Sequence, residues 1–273
     1  MWGLFIVIRI EILQFLKPFS LRLIKINKIP EICFYTFLIM HTSLTIIRYR
    51  NRAIPLAFLS MALFHFPLWF SKKYSFYKLL GSGKNGTFDK VPDLNQWAIL
   101  LVHKDTVTVL NNPSILGEFI SKWINLFAKE SFTILMEPVA GHGKWDNKEP
   151  FGNLDSKNIY EGPVATLTRA TIRLSKMKHF WQHVAPIAQK MKAANGYVFS
   201  VGIGEVPWIK QATFSVWQSV EEMKVFAYSM KEHREVVKKT RAEKWYSEDL
   251  FVRFRIIESF GTIRDANPLR IKS

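Results

Sequence analysis

Phe76-Tyr77-Lys78-Leu79-Leu80-Gly81-Ser82-Gly83 reads as a short apolar strand ending on a glycine pair. Tyr197-Val198-Phe199-Ser200-Val201-Gly202-Ile203-Gly204 repeats the pattern, with each glycine offset by 121 positions. The spacing predicts one role for both pairs, a tight turn into the following strand, which glycine makes without steric cost. Outward from these stretches, hydrophobic periodicity predicts strand, helix, strand, strand, helix, strand, twice over. The first pass covers 43–50, 53–70, 76–80, 97–103, 114–128 and 132–138. The second covers 164–173, 175–194, 197–201, 211–217, 220–241 and 250–258.

Each pass is a βαββαβ unit, the ferredoxin-like arrangement. The expected fold class is therefore α+β, with two tandem ferredoxin-like halves whose open sheets close on one another as an intrachain dimeric α+β barrel. The expected domains are an apolar, basic N-terminal extension (1–42), a first half (43–139), a linker rich in Gly, Asp, Asn and Lys (140–161), a second half (162–260) and a tail (261–273). Met40 stands just before the first convincing strand, so the first 39 residues read either as an upstream extension or as a misplaced start. Between sheet and helices such a barrel offers an apolar cavity suited to a hydrophobic ligand.

The chain of 273 residues is 48% apolar and carries 38 Lys and Arg against 22 Asp and Glu, a net charge of +16. That balance attracts anionic surfaces, or simply keeps an apolar chain soluble. The sequence holds no RNP, zinc-finger or helix-turn-helix signature, and its cations are interspersed with Phe and Trp, so a membrane surface rather than nucleic acid is the expected partner. The stretch 53–70 has no formal charge, contains Pro55 and Pro67, and is flanked by Arg48, Arg50 and Arg52 on one side and Lys72 and Lys73 on the other. With cations at both ends it reads as a helix on the core or at a bilayer interface rather than as a span. Residues 1–20 mix apolar residues with Arg9, Glu11 and Lys17 and lead to no small-residue cleavage site, unlike a secretory signal. Cys33 is the single cysteine, which fits a reducing cytoplasm, and a peripheral position on the inner membrane is expected.

Gly81-Ser82-Gly83-Lys84-Asn85-Gly86 matches G-x-G-x-x-G, but the residues after it (Thr87 to Asp93) read as loop. A dinucleotide site needs a helix N-terminus there, so a turn between strands is the better reading. No G-x-S-x-G elbow or Ser-His-Asp order supports nucleophilic hydrolysis. His179 and His183 are spaced i, i+4 with no third ligand indicated, and read as surface or core residues. Phe226, Met230, His233 and Val237 fall at i, i+4, i+7 and i+11 and make one apolar stripe, so the imidazole of His233 is expected to face away from water. There it either satisfies its nitrogens within the core or ligates a metal such as haem iron. Arg169 and Arg173 alternate on one face of a strand, and Arg253 and Arg255 on one face of the last. Facing inward they suit carboxylates such as haem propionates; the alternative is solvent, or pairing with Glu205, Glu248 or Asp249. Nine Trp and 22 Phe suit a long conjugated or polycyclic ligand.

The C-terminal half carries a family resemblance. The run from Gly162-Pro163-Val164-Ala165-Thr166 to Ile172-Arg173, the runs 199–205 and 211–217, Phe226-Ala227-Tyr228, His233-Arg234-Glu235-Val236 and the long run from Arg241 to Phe254 resemble the spheroidene monooxygenase family. A looser likeness extends to 76–83 and 145–151, so that it spans roughly 43 to 260. The resemblance implies an O2-dependent monooxygenase that oxidises an acyclic carotenoid near its end, at carbon 2, first to a hydroxyl and then to a ketone. It implies haem, with His233 as the proximal iron ligand and Arg253 or Arg169 meeting the propionates. It also implies an external electron donor, for which a ferredoxin-type protein is the expected partner. His65 departs from the family pattern and reads as a second haem-facing residue or a core residue. Two other readings share the fold: a cofactor-free monooxygenase of the antibiotic-biosynthesis type, and a non-catalytic carotenoid- or lipid-binding protein.

Overall fold

The computed structural model describes residues 40–84, 91–105, 115–154, 160–229, 239–240 and 242–269; for residues 183–188 and 229 it describes the backbone alone. Eight antiparallel strands make a closed barrel: β1 (Thr42–Tyr49), β2 (Tyr74–Gly83), β3 (Pro92–His103), β4 (Ala128–Gly143), β5 (Val164–Ile172), β6 (Tyr197–Val206), β7 (Lys210–Trp217) and β8 (Tyr246–Gly261). Around the ring they follow the order β1-β3-β2-β6-β7-β5-β8-β4. Helices α1 (Ile54–Leu63), α2 (His65–Phe70) and α3 (Glu118–Phe127) pack outside β1 to β4, and α4 (Met177–Lys192) and α5 (Val220–Ser229) outside β5 to β8.

The strands read as nearly continuous apolar runs because both faces are covered. In β3, Ala98, Leu100 and Val102 point into the barrel, while Ile99 and Leu101 point outward beneath α1 to α3. The interior is filled by Leu, Ile, Val and Phe from all eight strands, with Trp145 and Phe151 from the segment after β4. It is a packed core at this level.

The glycine pairs do not turn. Gly81 and Gly204 lie within strands and face each other across the β2–β6 seam, next to the Ser82–Ile203 pair. A Cβ on Gly204 would approach the Lys210 carbonyl oxygen at 2.7 Å, so the missing side chain permits close backbone approach. Ser82 bridges the seam, donating to the Gly202 carbonyl at 2.9 Å and accepting from Gln96 Nε2 at 2.7 Å.

On the opposite side of the barrel β4 pairs with β8 about a centre at Glu137–Arg255. Phe132 opposite Gly261 at one end is matched by Leu250 opposite Gly143 at the other. Beyond each strand lies a turn of one type: Asp146 and Asn147 in the first, Arg264 and Asp265 in the second, all have positive φ. Glu248 accepts the backbone N–H groups of Asp146 and Asn147, and Glu130 those of Arg264 and Asp265.

Two boundaries differ from expectation. The predicted helix over 53–70 breaks at Phe64 into α1 and α2, because Pro67 has no N–H to donate to Leu63. β4 runs on to Gly143, and Trp145 and Phe151, in the expected linker, are 1% and 2% exposed. Their aromatic area is worth more inside the barrel than in water. Residues 1–39, Asn85, Gly86 and 230–238 lie outside the described residues, and with them Cys33, His233 and the end of the glycine-rich motif.

Candidate functional site

One end of the barrel holds a charged cluster built by strand alternation. Lys78, Arg169, Glu205, Lys210 and Glu248 each continue the inward-facing row of their own strand, beyond Leu80, Leu167, Ile203, Ala212 and Leu250. Into this end the turn after β4 delivers Trp145 and Asp146. Arg169 is 2% exposed, with Nη1 hydrogen-bonded to Glu248 and Nη2 3.4 Å from Glu205 and 3.6 Å from Asp146. Lys78 Nζ contacts Asp146 and lies 2.5 Å from Glu205 Oε1; Lys210 Nζ lies 2.8 Å from Asp146 Oδ1. Trp145 donates its indole N–H to Glu205 at 2.9 Å, and the Arg169 guanidinium sits 5.4 Å from its ring.

Three cations face three carboxylates, so the cluster balances in formal charge. Burial alone would raise the Asp146 carboxyl, but hydrogen bonds from Lys210 and Lys78 outweigh it and hold the group at about 2. Burial likewise opposes ionisation of Glu248, and the N–H groups of Asn147 and Asp146 with Arg169 reverse it, lowering its pKa. Hydrogen bonding to Asp146 raises Lys210.

The clamped turn leads into a groove of about 320 Å³ beside the cluster. Gly141 and Gly143 of β4 and Leu250 and Val252 of β8 form its floor, and the segment from Glu149 to Leu154 its wall. Phe151 anchors that wall by packing edge-on against Phe254, ring centres 5.2 Å apart. At its positive φ of 94°, Gly143 leaves no room for a Cβ, which would fall 2.2 Å from the Asp249 carbonyl oxygen.

A second buried polar group lies on the barrel's outer face beneath the helices. His103 Nε2 is 2.8 Å from Ser43 Oγ, and the ring of Tyr74 packs edge-on at 5.4 Å. Burial and then the neighbouring His41 lower His103 to about 4, so it is neutral at pH 7.

Of the residues singled out from sequence, Arg169 and Arg253 lie within the described residues and do not converge. Arg169 is inside the barrel, whereas Arg253 alternates with the inward Val252 and Phe254 and is half-buried on the outer face. The arginines therefore occupy opposite sides of the sheet. Both Nη groups of Arg169 face carboxylates, as in the pairing alternative with Glu205 and Glu248. Arg173 lies past the end of β5 and donates from Nε to the Tyr246 carbonyl at 3.2 Å. Arg255 is exposed and paired with Glu137. His65 is exposed, 3.1 Å from the Tyr77 hydroxyl, which removes the core reading. His179 is exposed. Phe226, the start of the predicted stripe, is buried beside Trp217; Met230, His233 and Val237 are outside the described residues. Among the described residues no group of three His, Cys, Asp or Glu is arranged to hold a metal ion. Lys78, Lys210 and Asp146 were not anticipated. A lone cation at an inward position of an apolar strand was the available signal for both lysines.

The chain is 31% identical over 232 residues to a spheroidene monooxygenase of Rhodobacter capsulatus, a match covering 84% of this chain and 95% of that one. The chain belongs to the spheroidene monooxygenase family. Its match to the family member from Cereibacter sphaeroides is 35% identical over 198 residues, 72% of this chain, and spans 60% of that relative's length. No family model matches the sequence. Among solved structures, two of aldoxime dehydratase superpose with a TM-score of 0.53, each over about four-fifths of this chain. At 9% and 13% identity they share the α+β fold with this family member.

Proposed function

We propose that this chain is an O2-dependent carotenoid monooxygenase that oxygenates an acyclic carotenoid near its end, at carbon 2. The observation that carries this is the family membership, which extends over most of the chain. In each oxygenation one atom of O2 enters a C–H bond as a hydroxyl, and the other leaves as water with two electrons and two protons from outside. A second hydroxylation at the same carbon gives a gem-diol, which loses water to a ketone. The groove supports an end-on substrate: about 320 Å³ suits the terminus of a polyene better than its whole length. In this reading Leu250, Val252 and Phe151 hold the chain end and exclude water, and the charged cluster keeps the wall in place.

Haem is the cofactor this reading implies, and when bound it would supply the activation of oxygen. His233 would hold the iron and Arg253 a propionate. The electrons would come from a ferredoxin-type donor, and the protein would work at the cytoplasmic face of a membrane where carotenoid is dissolved. The fold reading is two ferredoxin-like halves, divided as 43–139 and 162–260 and closed into one barrel. It is supported by the order β4-β1-β3-β2 recurring as β8-β5-β7-β6 and by the matched registers of β4 and β8.

Expression in a host that makes acyclic carotenoids, followed by mass analysis of its pigments, tests the function. The expected product is heavier by one oxygen less two hydrogens, the ketone, preceded by a species heavier by one oxygen. Pigment that co-purifies with unchanged mass would make the protein a binder. Activity that survives haem removal, on a phenolic substrate, would place it with the cofactor-free monooxygenases.

A further inference from the structure

We propose that the outer face of α1 and α2 is a membrane-docking surface that lies flat in the interface of an anionic lipid bilayer. Phe58, Leu59, Phe66, Trp69 and Phe70 are 46–79% exposed and lie on these two consecutive helices. Soluble surfaces rarely gather so much aromatic area in one place. The other side of the helices, formed by Ala53, Ala57, Ser60, Phe64 and Leu68, is buried. The 51–70 stretch is long and apolar enough to cross a bilayer, yet crossing would strip that inner side from Ile99, Leu101 and Ile124. Lying in the plane of the interface buries the aromatics and keeps the inner packing intact.

Charge selects the occupant. Arg50 and Arg52 before α1 and Lys72 and Lys73 after α2 are exposed, and the sequence from 41 to 73 contains no Asp or Glu. Both ends of the apolar face are thus cationic, as for an amphipathic element read by anionic headgroups. A second copy would bring the same cations against these. The inference does not rest on the carotenoid chemistry; a chain that binds lipid and makes no product would sink the proposed function alone.

The test is flotation of the full chain with vesicles of phosphatidylcholine mixed with phosphatidylglycerol, and with phosphatidylcholine alone. The wild type is expected to float with the anionic vesicles and to be released by high salt. Phe66→Ser with Trp69→Ser should weaken partitioning at least about tenfold, since both side chains leave the interface. Arg50→Gln, Arg52→Gln, Lys72→Gln and Lys73→Gln together should abolish the preference for anionic vesicles. Val225→Ser, an exposed apolar position on α5, should change nothing. All sites are exposed, so thermal unfolding midpoints should stay at the wild-type value. Three results would each overturn the proposal: equal flotation with neutral vesicles, undiminished binding of the aromatic variant, or a wild type that does not float and instead dimerises through this face.

Discussion

Arg169 on β5 and Glu248 on β8 meet inside the barrel, and the same Glu248 holds the backbone of the turn that carries Trp145 and Asp146 into the cluster. One ion pair thereby couples the closed sheet to the wall of the groove. Because the Arg169 side chain is 1% exposed, Arg169→Met leaves Glu248 and Glu205 with fewer donors in a desolvated setting. The expected loss is about 3–5 kcal/mol of unfolding free energy, the usual cost of removing one partner of a buried pair. Urea denaturation measures it, and a loss below about 1 kcal/mol would mean the network is idle.

Acid should destabilise the protein in two steps. His103 is neutral in the fold down to about pH 4 but takes a proton below 6.5 once unfolded. The unfolded state therefore binds more protons between these values, so this contribution is complete above pH 6.5 and lost as pH falls toward 4. It amounts to at most about 3 kcal/mol. His103→Gln should flatten stability across that window. Asp146 acts lower down: its carboxyl is depressed to about 2, so its contribution is present above 3.8 and lost toward 2. Stability curves at a series of pH values separate the two.

The seam glycines should respond unequally to a methyl group. Gly81→Ala puts a Cβ 3.8 Å from the nearest atom, an ordinary contact, and is expected to cost under about 1 kcal/mol. Gly204→Ala meets the Lys210 carbonyl oxygen at 2.7 Å and should cost about 1–3 kcal/mol, as overpacking does. Gly143→Ala combines positive φ with a 2.2 Å clash and should be the most damaging of the three. Equal thermal midpoints for the three variants would contradict this reading of the two seams.

Asn153 is exposed on the groove wall, so Asn153→Trp narrows the groove without disturbing the core. Product formation should fall by about tenfold or more, while the thermal midpoint holds. Full activity in that variant would show that substrate enters elsewhere.

Purified protein is expected to show a Soret band that is lost or shifted in His233→Ala. A colourless, fully active wild type would refute haem ligation by His233.

Much of the fold was legible because the cues are local. Predicted strands at 97–103, 164–173 and 211–217 lie almost entirely within β3, β5 and β7. The glycine pairs were recognised as equivalent, yet their role was misread, since a turn and a seam ask the same small residue of the chain. Within the expected linker, Gly, Asp and Lys set the composition, while Trp145 and Phe151 supply buried area that composition does not reveal.

By itself the sequence determined the repeated βαββαβ order, which is written in residue spacing along the chain, and the resemblance to the family, which is carried by the motifs of the C-terminal half. Only the tertiary structure decided that Arg169 and Arg253 lie on opposite sides of the sheet, and that Lys78 shares a cluster with Asp146 and Lys210. Periodicity is a property of one strand, whereas an ion pair depends on the register between strands and on barrel closure, which no single stretch of chain encodes.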